Sequence, residues 1–228
     1  MQVDIFLLIE IKFFLRNART RKLLNGLICA AVFWISMISL SGLNSTLEKY
    51  LMIMTLISLT PFYFSQLFFS WQLRFLPNYF VLPVNILGYL IARILVIMIL
   101  TLAGSIMPLV YFWNTPDIAY VGAIFFYMAV TIPLIMLLKG GAGARKMDPN
   151  TTGVFSNFTG ITRYHFLSEL VLFGLPLLMY GLELIYSAAG WMLVYLLAVG
   201  FIALCLLPFR LLYMARKLNW KYKLMLIN

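Results

Sequence analysis

Six stretches of about 20 apolar residues, at 23–42, 51–70, 91–112, 118–138, 166–186 and 191–213, set the terms for this chain. A bilayer's hydrocarbon core, roughly 30 Å thick, is crossed by about 20 residues of helix. Backbone in lipid must satisfy its own hydrogen bonds, which favours helices for such runs. The pattern predicts an all-α integral membrane protein with six transmembrane helices. Composition points the same way, with 64% of the 228 residues hydrophobic and 11% charged, against about half and about a quarter in average globular domains. No soluble core hides so much apolar side chain. A water-soluble enzyme, a nucleic-acid reader and a disordered tail are excluded as descriptions of the whole chain.

The connections at 43–50, 113–117 and 187–190 are short, whereas 71–92 and 139–165 are longer and richer in polar residues. An even number of spans puts both termini on one side. Basic residues choose that side. Five precede the first span (Lys12, Arg16, Arg19, Arg21, Lys22), and two flank the second connection (Arg74, Arg93). Four lie in the fourth connection (Lys139, Arg145, Lys146, Arg163) and five toward the end (Arg210, Arg216, Lys217, Lys221, Lys223). The other side holds Lys49 alone. Both termini are expected in the cytoplasm. The first apolar run follows 22 residues that are already hydrophobic and no A-x-A site follows it, so it reads as a retained span rather than a cleaved leader.

The domain reading is a connecting helix over 1–22, a membrane domain over 23–213 and a basic cytoplasmic tail over 214–228. Within 2–22, Val3, Leu7, Leu8, Ile11, Phe14 and Leu15 share one arc of a helical wheel. Lys12, Arg16, Asn17 and Arg19 occupy the opposite arc, with Glu10 at its edge. This predicts an amphipathic helix at the membrane surface. Ile5, Phe6, Ile9 and Phe13 interrupt the polar arc and suggest contact with a partner. The segment WQLRFLPNYFVLPVNILGYLIAR (71–93) is broken by Pro77 and Pro83. Proline removes an amide donor and restricts its predecessor, so a short cytoplasmic helix is predicted there rather than a span. Gln66 and Arg93, near the cytoplasmic helix ends, are expected to reach the interface.

Residues 139–165 are loop chemistry. GGAGARK does not meet G-x-x-x-x-G-K-[ST] and follows a span rather than a strand, so it is no phosphate loop. One histidine, His165, and two cysteines within apolar runs, Cys29 and Cys205, supply neither a zinc site nor a disulfide framework. Glu169 and Glu183 are fourteen residues apart, about 21 Å along a helix, too far for joint acid–base work. No catalytic residue, metal site or cofactor site is assigned. Glu169 suits a helix N-terminus. Glu183, flanked at i±3 by Tyr180 and Tyr186, either reaches the outer headgroups or lines an exit path. Gly174, Pro176 and Gly181 predict a break in the fifth span toward the outer side.

A basic amphipathic helix, two spans, a cytoplasmic elbow, four more spans and a basic tail: this order resembles the permease subunit of a bacterial type-2 ABC exporter. EIKFFLRNARTRKLL (10–24) is similar to that family's N-terminal "LRNK" stretch. FFSWQLRFLPNYFVLPVNILGYLIARIL (68–95) is similar to the coupling region of a small bacterial subgroup, and NFTGIT (157–162) and KYKLM (221–225) to its fourth loop and tail. The family's coupling region often carries acidic residues; 71–92 has none, which implies a differently charged contact. The resemblance implies a multi-pass protein of the bacterial inner membrane forming half of a translocation pathway with a second permease chain, identical or related. Separate ATPase subunits would carry ATP and magnesium, and no nucleic acid is involved. ATPase contacts are then expected at Arg74, Asn78, Tyr79, Asn85, Glu10 and Arg16, and pathway residues at Tyr180 and Glu183. An autonomous channel, scramblase or immunity-type protein without ATP coupling is the alternative, and the cargo is unassigned.

Overall fold

A computed structural model describes residues 2–16, 18–42, 45–66, 85–139, 170–186 and 190–227, with no strand among them. The helices run α1 (Gln2–Arg16), α2 (Ala18–Ser41), α3 (Thr46–Gln66), α4 (Ile86–Phe112) and α5 (Ile118–Lys139). A π-helical turn (Leu170–Gly174) then leads into α6 (Leu175–Tyr186), and α7 (Trp191–Ile227) follows. Among the described residues, three helices are long and apolar enough to cross a membrane: Ile86–Phe112, Ile118–Leu138 and Trp191–Leu218. Asn25–Leu40 and Leu170–Tyr186 are shorter apolar helices. The chain is an all-α membrane protein.

Each helix end has a local cause. α2 stops at Gly42, whose φ of 68° is left-handed and whose amide still donates to Ile38 O at 3.1 Å. Glycine adopts that conformation without a Cβ clash. α3 starts with a reciprocal capping box: Glu48 N donates to Ser45 Oγ and Ser45 N to Glu48 Oε2, each at 3.1 Å. α4 starts where Asn85 Oδ1 accepts from Leu87 N at 3.1 Å and Gly88 N at 3.3 Å. The helix expected from residue 91 therefore begins at Ile86, because an N-cap residue is available one position earlier.

α3, α4 and α5 form the centre. Met52, Ile53, Leu56, Ile57 and Phe64 of α3 pack with Leu90, Ile97 and Phe112 of α4 and Ile124, Tyr127 and Met128 of α5, all fully buried. A Cβ on Gly104 would lie 2.2 Å from Leu56 O, so glycine is what lets the α3 and α4 backbones approach this closely. α2 packs on α3, and α7 packs on α5 and α6. The apolar window of α7 is only 22% buried, against 72% for α5. Its outer face exposes Val194, Phe201, Ile202 and Phe209. In water that face would be costly; in a bilayer it meets hydrocarbon. Within α2, Ser36 and Ser39 donate to Val32 O and Ile35 O at 2.9 Å, the ordinary way an apolar helix satisfies a hydroxyl.

One expectation about helix continuity is corrected, and one element is longer than its apolar run. The basic segment from 214 is helical, and α7 continues through it without interruption to Ile227. At 37 residues it is about 56 Å long, well beyond a bilayer core. The break in the fifth span lies at Leu170–Gly174, not beside Glu183, and the helix from Leu175 to Tyr186 is unbroken.

Candidate functional site

At the end of the bundle where α4 begins, α1 lies against α4. Phe6 meets Tyr89 edge to face at 6.1 Å between centroids, and Val3 packs over Gly88. Glu10 Oε1 stands 3.1 Å from Arg93 Nε, with both side chains buried, and the guanidinium lies 5.4 Å from the Tyr89 ring centre. An ion removed from water costs several kcal/mol unless matched by an opposite charge. The pair therefore fixes α1 in register on α4.

That arrangement revises the wheel reading. Val3, Phe6, Leu7 and Glu10, at i, i+3, i+4 and i+7, form the docked face. Ile5, Leu8, Ile9, Ile11 and Lys12 are exposed on the other. Phe6, assigned to the interrupted polar arc, is buried, whereas Leu8 and Ile11 of the predicted apolar arc are not. Arg93 does not reach the interface; it is wholly buried. The sequence held a signal for this: Arg93 is the only charged residue in α4, and Glu10 sits among basic and apolar neighbours.

At the opposite end the short connections meet. Lys49 Nζ donates to Asp117 Oδ2 at 2.7 Å, tying the start of α3 to the α4–α5 turn. Tyr50 and Tyr180 stack in parallel at 6.0 Å. Together with Thr46, Ile53, Tyr120 and Met192 these residues enclose a cavity of about 20 Å³, water-sized at most. Glu183 accepts from Gly190 N at 2.8 Å and Met192 N at 3.2 Å, so its carboxylate caps the free amides at the start of α7. Tyr180 and Glu183, the two expected pathway residues, are thus held together in this end by a ring stack and a helix cap.

Between the ends, α3 and the π turn flank a cleft of about 260 Å³ lined by Thr55, Ser58, Leu59, Phe62, Tyr63 and Phe173. Phe62 and Phe173 face each other edge to face at 5.5 Å. The turn has a traceable cause. Pro176 has no amide to give to the carbonyls four and five residues back, those of Leu172 and Val171. The buried Tyr127 hydroxyl, 3.5 Å from both oxygens, donates to them from α5. These contacts are long and shared, so each is weak. A π turn beside such a proline projects Phe173 toward α3. Sequence reasoning named Pro176 and Gly174 but missed Tyr127, which sits 44 residues away from Val171.

At the cytoplasm-predicted end of α5, Arg210 of α7 donates to Leu137 O at 3.3 Å and Leu138 O at 3.1 Å and lies over Tyr213. A cation on terminal carbonyls satisfies acceptors the helix leaves open.

Of the expected ATPase contacts, Glu10 is buried against α4 and Asn85 is an exposed N-cap. Arg74, Asn78 and Tyr79, the side chain of Arg16, and His165 and Glu169 lie outside the described residues. No group of His, Cys, Asp or Glu suited to a metal occurs among the described residues. In comparisons with known proteins, no family model, curated protein or solved structure matches the chain.

Proposed function

We propose that this chain is the permease subunit of a type-2 ABC exporter in a bacterial inner membrane, one half of a translocation pathway coupled to separate ATPase subunits. The observation that carries the reading is the docking of α1 on α4. The two elements join through a buried ion pair and an aromatic contact right after the segment 67–84. A push delivered to the N-terminal helix or to the elbow before Asn85 is therefore delivered to α4, and through Gly104 to α3. A lone surface anchor needs no buried charge to hold it to a span. An input that moves one packed body against another is what ligand-driven switching requires.

The six-span topology belongs to the same proposal. α2 and α3 have 24 and 21 residues, about 36 and 31 Å, enough to cross alongside the three longest apolar helices. α3 carries Glu48 and Lys49 in its first turn, at the end that meets Asp117, where a charged helix start emerges on the outer side. With both termini in the cytoplasm, sixteen of the seventeen basic residues, the buried Arg93 included, belong to the inward half of the chain's charge. A second permease chain completes the pathway; ATP and magnesium are bound by the partner ATPase, and this chain catalyses nothing itself.

Affinity purification of the tagged chain from its native membrane in mild detergent tests the proposal. A stoichiometric ATPase with Walker motifs, lost on Arg74→Glu or Tyr79→Ala, is expected. A homo-oligomer without an ATPase would instead favour an autonomous channel, scramblase or immunity-type protein.

A further inference from the structure

The cleft between α3 and the π turn has a chemistry of its own. Thr55, Leu59, Tyr63 and Phe173 are only half-buried, so it opens on the surface of the bundle. From Thr55 to Tyr63 it runs along nine residues of α3, a rise of about 12 Å, within the apolar length of that helix. In the six-span topology proposed above, that length of α3 lies within the membrane. Among the described residues no charged side chain lines it, and a phosphate or carboxylate buried against them would keep its full desolvation cost.

Two of its three hydroxyls, those of Thr55 and Ser58, are polarised in one sense. Thr55 Oγ1 donates to Leu51 O at 2.6 Å and Ser58 Oγ donates to Met54 O. Each hydroxyl has one proton, and both protons are committed to the helix backbone. What these two oxygens offer the cleft is lone pairs. Phe62 and Phe173 supply apolar walls for a chain. The volume, about 260 Å³, is at the small end for ligand pockets and suits the polar end of an amphiphile with its first carbons.

We infer that this cleft binds an uncharged amphiphile through a hydroxyl or N–H donor that points at Thr55 and Ser58. This deepens the exporter reading, on which it rests, by naming the substrate class. Binding is measured on the purified chain without any ATPase, so either idea can fail alone.

Three diazirine-bearing probes with identical acyl chains make the test: a diacylglycerol, its acetate ester and the corresponding phosphatidic acid. They differ only in offering a free hydroxyl, no donor, or a phosphate. After photolysis with the full chain in neutral detergent, labelled peptides are mapped by mass spectrometry. The diacylglycerol is expected to label residues 55–63 or Phe173 about tenfold above the other two, since a site that bonds a hydroxyl rejects analogues lacking it. Thr55→Val with Ser58→Ala should erase that preference, and Thr55→Ser alone, which keeps an acceptor, should retain it. Equal labelling by all three probes would overturn the proposal. So would a preference unchanged in the double variant, or a disulfide joining two copies through Leu59→Cys in a Cys29→Ala/Cys205→Ala background, which would make this face a homotypic interface.

Discussion

Arg93 is the residue on which the N-terminal half of the molecule turns. Its side chain is wholly buried, with Glu10 at 3.1 Å. Arg93→Met leaves Glu10 buried without its counter-charge, and a loss of about 3–5 kcal/mol is expected from breaking one side of such a pair. The double change Glu10→Leu/Arg93→Met removes both charges and should recover most of that loss. Denaturant unfolding of the three variants in micelles measures it, and additive losses would contradict the pairing. The same logic applies to Tyr127. Tyr127→Phe should cost about 1 kcal/mol in the native chain and nothing measurable in a Pro176→Ala background, where an amide at 176 can serve Leu172 or Val171. By contrast, the half-buried Lys49–Asp117 bridge, 32% and 20% accessible, should contribute under about 1 kcal/mol.

Elements were legible from sequence where the cause is local. The apolar runs, the capping pattern at Ser45–Glu48 and the breaking residues Gly174 and Pro176 are all written within a few positions. Boundaries set by a single side chain were shifted: Asn85 as a cap starts α4 five residues before the apolar count does. What a linear wheel could not supply is the identity of the facing helix. α1 has apolar residues nearly all round, so periodicity alone does not choose its buried side. The choice belongs to Tyr89, Gly88 and Arg93, some eighty residues downstream, which select Phe6, Val3 and Glu10. Tyr127 was hidden for the same reason, since its partner carbonyls belong to another helix. Helix approach gives a sharper prediction. Gly104→Ala places a methyl 2.2 Å from Leu56 O, and the forced separation of α3 and α4 should cost about 1–3 kcal/mol, whereas Gly122→Ala, which meets nothing within 4 Å, should be silent.

For the whole molecule, charge asymmetry and connection length carry the argument. The short connections gather Lys49, Asp117, Glu183 and Gly190 at one end; α1, Asn85 and the extension of α7 lie toward the other. The proposed orientation puts the first group outside. A single cysteine at 115, in a Cys29→Ala/Cys205→Ala background, should react with a membrane-impermeant maleimide in intact cells. One at 217 should react only after the membrane is opened, and the reverse would invert the topology. Cargo and coupling partner were not legible in composition, because apolar walls look alike whatever crosses them; the hydroxyl face of α3 and the α1–α4 junction became visible only when distant residues met.

The most direct measurement is ATP hydrolysis by the complex purified through the tagged chain, native beside Arg74→Glu. Hydrolysis that accompanies the native chain and disappears from the variant is the predicted result. A native preparation that hydrolyses no ATP would contradict the coupling of this bundle to an ATPase.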